Sequence, residues 1–142
     1  YGGVVIGEDG TLYATGGSVI ADQATGGIVA IDKDGNLKWH FATAENVTNC
    51  VPMVDNRGFI HFVTDDAVYY IVKPDGTAYA SLKVGEKSNA SPVMNANGDV
   101  LLSVETEAGV SVVMNLSTGA SSVANSVWPM KGQNWQRTGL QQ

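Results

Sequence analysis

The stretch from Gly26 to Phe41 reads as one complete β-hairpin, and weaker copies of it account for most of the chain. A β-branched run, Ile28 to Ile31, is followed by the turn signal Asp34-Gly35. The returning strand then alternates apolar with polar residues, the apolar ones being Leu37, Trp39 and Phe41. Asp and Gly both tolerate the positive φ angles of a two-residue type I′ turn, whereas β-branched residues do not. The pattern predicts two antiparallel strands joined by such a turn.

The same pattern recurs three times, at a period of roughly 40 residues. Each copy has an apolar strand, a polar turn that closes on glycine, and a second apolar strand. The later turns of the three units are Asp34-Gly35, Asp75-Gly76 and Thr118-Gly119. The predicted units are residues 1–46, 47–87 and 88–124, followed by a C-terminal arm, residues 125–142. The Gly-rich insertion from Gly16 to Gly27 is expected to be a loop within the first unit.

Each unit is expected to hold four short strands. The predicted strands are Val4–Ile6, Leu12–Thr15, Ile28–Ile31 and Leu37–Phe41; Val51–Val54, Phe59–Val63, Val68–Val72 and Ala78–Leu82; Pro92–Met94, Val100–Val104, Val110–Met114 and Ser121–Ala124. A lone four-stranded sheet cannot bury both of its faces, so successive units are expected to stack. The predicted fold is therefore all-β and β-propeller-like, with three four-stranded antiparallel blades in a partial propeller or open arc, plus the C-terminal arm.

Composition excludes several classes of partner. The chain has 14 acidic and 8 basic residues, a net charge of −6 and no Lys/Arg cluster, so nucleic acid is not expected to bind. Its longest apolar runs, of about five residues, are too short to cross a bilayer, and no membrane insertion is expected. The chain starts at Tyr1 without a basic or apolar leader segment, which is typical of mature or excised material. A single cysteine, Cys50, excludes an intramolecular disulfide and is expected to be a buried small apolar group.

Residues Ala30 to Trp39 resemble the signature of the pyrroloquinoline-quinone-like (quinoprotein alcohol dehydrogenase-like) β-propeller repeat. In that repeat an Ala, an acidic residue, a Gly turn and a Trp recur once per blade. The resemblance implies that Trp39 packs between adjacent blades. The second unit has Tyr79 and Ala80 where this Trp is expected, and the third has Ser122-Val123. Such degenerate repeats resemble the non-enzymatic bacterial members of the family more than its dehydrogenases.

The C-terminal arm contains a second stretch similar to these bacterial propellers, with a Trp-Pro-Met element followed by Arg-Thr-Gly. The arm is expected to be a docking strap that covers the blades, and the alternative is an exposed platform for a sugar or peptide. The residues that carry this prediction are Trp128, Pro129, Met130, Trp135 and Arg137. The resemblance also implies an exported bacterial protein, located in the periplasm, at the cell surface or outside the cell.

Sets of residues for catalysis or metal binding do not emerge from the sequence. Quinone-dependent dehydrogenases of the family use a vicinal cysteine pair, an Asp base and a calcium site, so a chain with one cysteine is expected to use no cofactor. The oxygen-rich segment Asp32 to Asn36 fails the EF-hand pattern, because Thr43 stands where the last calcium ligand belongs. His40 and His61 are expected to be satisfied or exposed strand residues. The carboxylates of Asp65-Asp66, Glu105 and Glu107 are expected to be solvated turn charges.

No catalytic, cofactor-binding or metal residue is therefore predicted, and Trp39, Gly35 and Gly76 are expected to be structural or interaction residues. The predicted function is a non-catalytic scaffold or protein-interaction module of a bacterial envelope or secreted protein. Its expected partners are another protein or a second copy that pairs with the blade edges. A carbohydrate-binding surface module is the first alternative, and a fragment of a quinone-dependent dehydrogenase is the second.

Overall fold

A computed structural model describes residues 3–16, 19–20, 23–24, 26–126 and 129–130, and every regular element among them is a β-strand. These residues form three antiparallel sheets of three or four strands that follow one another along the chain, and a separate two-stranded hairpin. The all-β prediction is confirmed for these residues. The same residues include no helix long and apolar enough to span a bilayer.

The first sheet contains four strands in the order β1-β2-β5-β6. Its strands are β1 (Val4–Ile6) and β2 (Leu12–Gly16), followed by β5 (Gly26–Ile31) and β6 (Leu37–Thr43). The insertion between β2 and β5 is not a simple loop as predicted, because it contains the paired strands β3 (Val19–Ile20) and β4 (Gln23–Ala24).

The turn between β5 and β6 is not the predicted type I′ turn. The Asp32 N–H donates to the Asn36 carbonyl at 2.8 Å, and the Gly35 N–H donates to the Asp32 carbonyl at 3.0 Å. Gly35 has φ +89°, whereas Asp34 is not among the residues with positive φ. The Asp32 carboxylate accepts hydrogen bonds from the N–H groups of Asp34 and Asn36. A longer turn of this kind needs the left-handed conformation at glycine only, which explains why it replaces the shorter turn.

The second sheet contains β7 (Met53–Val54), β8 (Ile60–Val63), β9 (Val68–Val72) and β10 (Ala78–Lys83), each paired with the next. All four residues of β8 are buried, so both faces of this sheet are covered at β8, whereas all six residues of the outer strand β10 are exposed. On one face the Phe62 ring lies 6.3 Å from that of Phe41 in the first sheet. The Phe41 ring also contacts that of Tyr70 in an edge-on arrangement at 5.7 Å. The second sheet is therefore the central layer of the core.

The third sheet contains three strands, β11 (Val93–Met94), β12 (Asp99–Glu105) and β13 (Ser111–Ser117). Along β12, buried and exposed residues alternate, and the buried ones are Val100, Leu102 and Val104. This alternation places one apolar face in the core and leaves the other face open.

The predicted fourth strand of the third sheet, Ser121–Ala124, is wrong. Val123 instead pairs antiparallel with Asp55, next to β7. The Asn56 N–H donates to the Ser122 carbonyl at 2.9 Å, and the Ala124 N–H donates to the Val54 carbonyl at 2.8 Å. This pairing satisfies main-chain groups at the edge of β7 and buries Ala124. Within the described residues, β13 is consequently paired on one side only.

Candidate functional site

Trp39 on β6 lies against the turn of the second sheet. Its Nε1–H donates to the Pro74 carbonyl at 2.9 Å, and its ring lies 5.9 Å from that of Tyr13. A Cβ atom on Gly76 would lie 2.7 Å from Cγ of Trp39. Gly76 has φ +87° and Gly35 has φ +89°. At Gly35, however, no described heavy atom beyond its chain neighbours lies within 4 Å of a Cβ placed there. Of the two predicted glycines, only Gly76 therefore contacts a side chain of another sheet.

The described part of the C-terminal arm lies beside the first strands of the first two sheets. The Val54 N–H donates to the Pro129 carbonyl at 2.9 Å, and the Asn125 N–H donates to the Glu8 carboxylate at 2.9 Å. Pro129 and Met130 are buried, and Met130 has no exposed surface. The other predicted residues of the arm, Trp128, Trp135 and Arg137, lie outside the described residues, and for them the strap remains a prediction.

An open groove of about 230 Å³ lies between the second and third sheets, and we call it the sheet 2–sheet 3 groove. Most of its wall is apolar, and Leu82 on β10 is 59% exposed there. At the end of β13, Thr118 Oγ1 is buried and has no hydrogen-bond partner within the part of the chain that the structure describes. The lining residues are Tyr69 and Ile71 of β9, residues 79–82 of β10, and residues 116–118.

Within the part of the chain that the structure describes, the edge of β13 is unprotected. From Val110 to Ser117 the chain carries no charged residue and no proline, whereas the outer strands β6 and β10 contain Lys38 and Lys83. Val113 is 74% exposed. Charged residues and prolines are the usual protection of an edge strand against pairing with another chain. Among the strands described, β13 is therefore well suited to strand addition.

A buried polar network lies behind this groove, in the second sheet. His61 Nε2 lies 2.8 Å from Asp55 Oδ2, and His61 Nδ1 lies 2.7 Å from the Tyr69 hydroxyl. Because an ionised carboxylate only accepts, Nε2 carries the proton of the hydrogen bond to Asp55. Arg57 Nη2 also donates to Asp55 Oδ2, at 2.7 Å, and to the Thr118 carbonyl at 3.1 Å. The last hydrogen bond connects the second sheet to the third.

The network is fully hydrogen-bonded and closed to solvent at its carboxylate. Burial by itself would raise the pKa of Asp55, but the hydrogen bonds from His61 and Arg57 outweigh burial and hold this pKa below its ordinary value of 3.8. Burial raises the pKa of Tyr69 well above 10.0, with smaller contributions from Cys50 and from the negative charge of Asp55. The side chains of Asp55 and His61 have no exposed surface. This arrangement joins neighbouring segments of the second sheet through buried hydrogen bonds.

The other candidate residues that the structure describes differ in their environments. Cys50 is buried, as predicted, and its Sγ accepts from the Val63 N–H at 3.4 Å. The prediction that His40 is satisfied or exposed is wrong, because His40 is half-buried and its buried Nε2 has no partner in the described segments. The Asp65 carboxylate accepts from the N–H and hydroxyl of Thr48. No group of three metal-ligating side chains was found in the part of the chain described.

Sequence reasoning missed the buried network and the groove. The signal for the network was present in the second unit, where an Asp precedes a glycine turn and a His follows in the next strand. The signal for the groove was Ala80, which stands where the repeat has a tryptophan. Neither residue pattern predicts the network or the groove unless the packing of the sheets is known.

No protein-family model matches this chain, and no curated protein matches it. Among solved structures, the fold is similar to that of a protein of unknown function from Bacteroides caccae, with a TM-score of 0.54 and 17% sequence identity. The alignment covers 84% of this chain and 43% of the other, so the chain spans less than half of that protein's length. At this level of identity the likeness concerns the fold alone.

Proposed function

We propose that this chain is a non-catalytic β-propeller scaffold and protein-interaction module of an exported bacterial protein, built from pyrroloquinoline-quinone-like repeats. The observation that carries the proposal is the unprotected edge of β13 beside the sheet 2–sheet 3 groove. An exposed strand edge supplies main-chain hydrogen bonds to an added strand, and a neighbouring pocket supplies side-chain specificity.

The repeated construction of the sheets supports a propeller arrangement. Successive units along the chain form successive sheets, and the second sheet is covered on both faces at its strand β8. The Bacteroides caccae protein is more than twice as long as the aligned region, which leaves room in such a protein for further sheets of the same kind. In this proposal the open face of the third sheet is a blade surface.

The environment of the ionisable groups supports a non-catalytic role. Asp55, His61 and Tyr69 form one hydrogen-bonded chain, and the side chains of Asp55 and His61 have no exposed surface through which to reach a substrate. The dehydrogenase alternative makes an opposite prediction that is simple to measure. Reconstitution with pyrroloquinoline quinone and calcium, followed by a dye-reduction assay, should give no turnover above the protein alone, and measurable turnover would overturn the proposal.

A displayed library of random extended peptides tests the interaction role directly. We expect selection to enrich peptides whose binding is lost in Val113→Lys, because a lysine on the β13 edge opposes strand addition. Ala42→Lys, on an exposed position of β6, is the matched control for the change in charge and should bind normally. A selection that enriches no peptide, or peptides that bind both variants equally, would contradict a role for this edge.

Carbohydrate binding is the second candidate. It is favoured by Tyr79, which is half-exposed at the rim of the groove and packs against the Phe59 ring at 4.8 Å. Such an aromatic ring offers a flat apolar face to a sugar. A glycan array should then give hits that disappear in Tyr79→Ala, and an array without hits would exclude this candidate.

A further inference from the structure

The sheet 2–sheet 3 groove lies where the first repeat has its tryptophan. The turn after β9 repeats the turn after β5: the Lys73 N–H donates to the Thr77 carbonyl, and the Gly76 N–H donates to the Lys73 carbonyl. Both hairpins also shift register at the same place, so Trp39 pairs with Ala30 in the first hairpin and Ala80 pairs with Ile71 in the second. Ala80 therefore occupies the structural position of Trp39.

The surroundings of the two positions correspond as well. In the first interface the indole lies over Gly76 and donates to the Pro74 carbonyl. In the second interface the glycine after β13 is Gly119, which has φ +80° like the φ of +87° at Gly76. When Gly119 is aligned with Gly76, Ser117 corresponds to Pro74, the residue whose carbonyl accepts the Trp39 indole N–H in the first interface. Residues 116–118 line the groove, and among the residues that the structure describes no indole lies in it.

We propose that the sheet 2–sheet 3 groove binds the tryptophan side chain of an extended segment from a partner polypeptide. This inference rests on the proposed interaction function and names the chemistry that the partner presents. The groove, at about 230 Å³, is smaller than the pockets that hold drug-sized ligands and suits one side chain. Its walls are mostly apolar, and Leu82 and Leu116 contribute to them.

Thr118 in the groove wall can supply a hydrogen-bond acceptor for the indole N–H once its hydroxyl, which is buried, rotates towards the groove. Thr118 Oγ1 is buried and unpartnered within the described residues, and a buried polar atom without a partner is costly. An indole N–H that donates to this oxygen would remove that cost. The adjacent edge of β13 orients the segment, because strand pairing along Ser111–Ser117 places alternate side chains towards the second sheet.

The site is tested by titrating the ¹⁵N-labelled full chain with N-acetyl-tryptophanamide, with N-acetyl-alaninamide as the control ligand. We expect saturable shifts of the Leu82, Leu116 and Thr118 amide signals with the tryptophan ligand only. Ala80→Trp fills the groove from within and should abolish these shifts. If Ala80→Trp does not fold, Ala80→Met is used instead. Its smaller side chain fills part of the groove and should weaken binding of the tryptophan ligand at least several-fold.

Two further variants examine the geometry. Thr118→Val keeps the shape of the groove and should weaken binding several-fold, because the acceptor is lost. Trp39→Ala opens the equivalent space in the first interface and should add a second set of shifts around Gly76. These shifts show how a space known to hold an indole binds the tryptophan ligand, and the shifts at the sheet 2–sheet 3 groove are compared with them.

Four results would overturn the inference. They are the absence of saturable shifts in the full chain, shifts that persist in Ala80→Trp, equal binding by Thr118→Val, and binding only after the chain is shortened at Met130. The last result would assign the groove to the chain's own following residues. If the peptide selection yields edge-binding peptides without tryptophan, this inference fails while the proposed function stands. Quinone turnover would overturn the proposed non-catalytic role, while the binding of a tryptophan side chain in the groove would stand.

Discussion

The substitution Gly76→Ala tests how tightly the first two sheets are joined, and Gly35→Ala is its matched control. Both glycines occupy the same turn position with nearly the same positive φ, +87° and +89°. An alanine in this left-handed region costs roughly 1–2 kcal/mol at either position. Only at Gly76 does the new methyl group also meet a side chain, with Trp39 Cγ at 2.7 Å.

Relieving that contact requires the indole to shift, and overpacking of this kind typically costs about 1–3 kcal/mol more. We therefore expect Gly76→Ala to lower the free energy of unfolding by about 2–5 kcal/mol and Gly35→Ala by about 1–2 kcal/mol. Trp39→Ala, which loses a half-buried ring and the hydrogen bond to Pro74, should cost about 2–3 kcal/mol. In the Trp39→Ala background, Gly76→Ala should cost no more than Gly35→Ala.

The assay is urea unfolding followed by far-ultraviolet circular dichroism, because a fluorescence signal would change when Trp39 is removed. The double-mutant cycle between Trp39 and Gly76 then gives their coupling free energy, expected at about 1–3 kcal/mol. Equal effects of Gly76→Ala and Gly35→Ala would refute the packing of the indole on the second sheet. A Gly76→Ala effect that is unchanged without the indole would refute it independently.

Three further perturbations test the core. Asp55→Asn should lower the free energy of unfolding at neutral pH by about 3 kcal/mol, because it removes the fully buried carboxylate that pairs with Arg57. The pKa of Asp55 is held below 3.8 in the fold, so this stabilisation is present above about pH 4 and is lost as the pH falls through the lowered pKa. Urea titrations at pH 7 and pH 3 should show that the difference in unfolding free energy between the wild type and Asp55→Asn shrinks at the lower pH. A difference that does not change with pH would contradict this prediction. Met130→Ala should cost about 2–5 kcal/mol and truncation after Asn125 at least as much, with loss of solubility, whereas unchanged melting and solubility would contradict a covering role for the arm. Iodoacetamide should label Cys50 only on unfolding, and rapid labelling of the native protein, followed by mass spectrometry, would show that the thiol is accessible.

Most of the strands could be predicted because the turn and the alternation are encoded locally. Asp34-Gly35 and Asp75-Gly76 mark turns whose glycine needs a left-handed backbone, and the flanking apolar residues repeat with a period of two. The turn type was mispredicted because the Asp32 carboxylate binds the N–H groups of Asp34 and Asn36, which favours a longer turn. That competition between two local solutions is not visible in the residue pattern.

The sequence by itself determined the number of repeats, their order and the all-β character, since these depend on residues close together in the chain. Only the tertiary structure decided where the segment from Ser122 to Ala124 pairs, because strand pairing between distant segments depends on which edge is left unsatisfied. The same holds for the sheet 2–sheet 3 groove. In the sequence Ala80 only departs from Trp39 of the first unit, and the proposed site arises because, among the described residues, two sheets meet there beside an open strand edge and an unpartnered threonine hydroxyl.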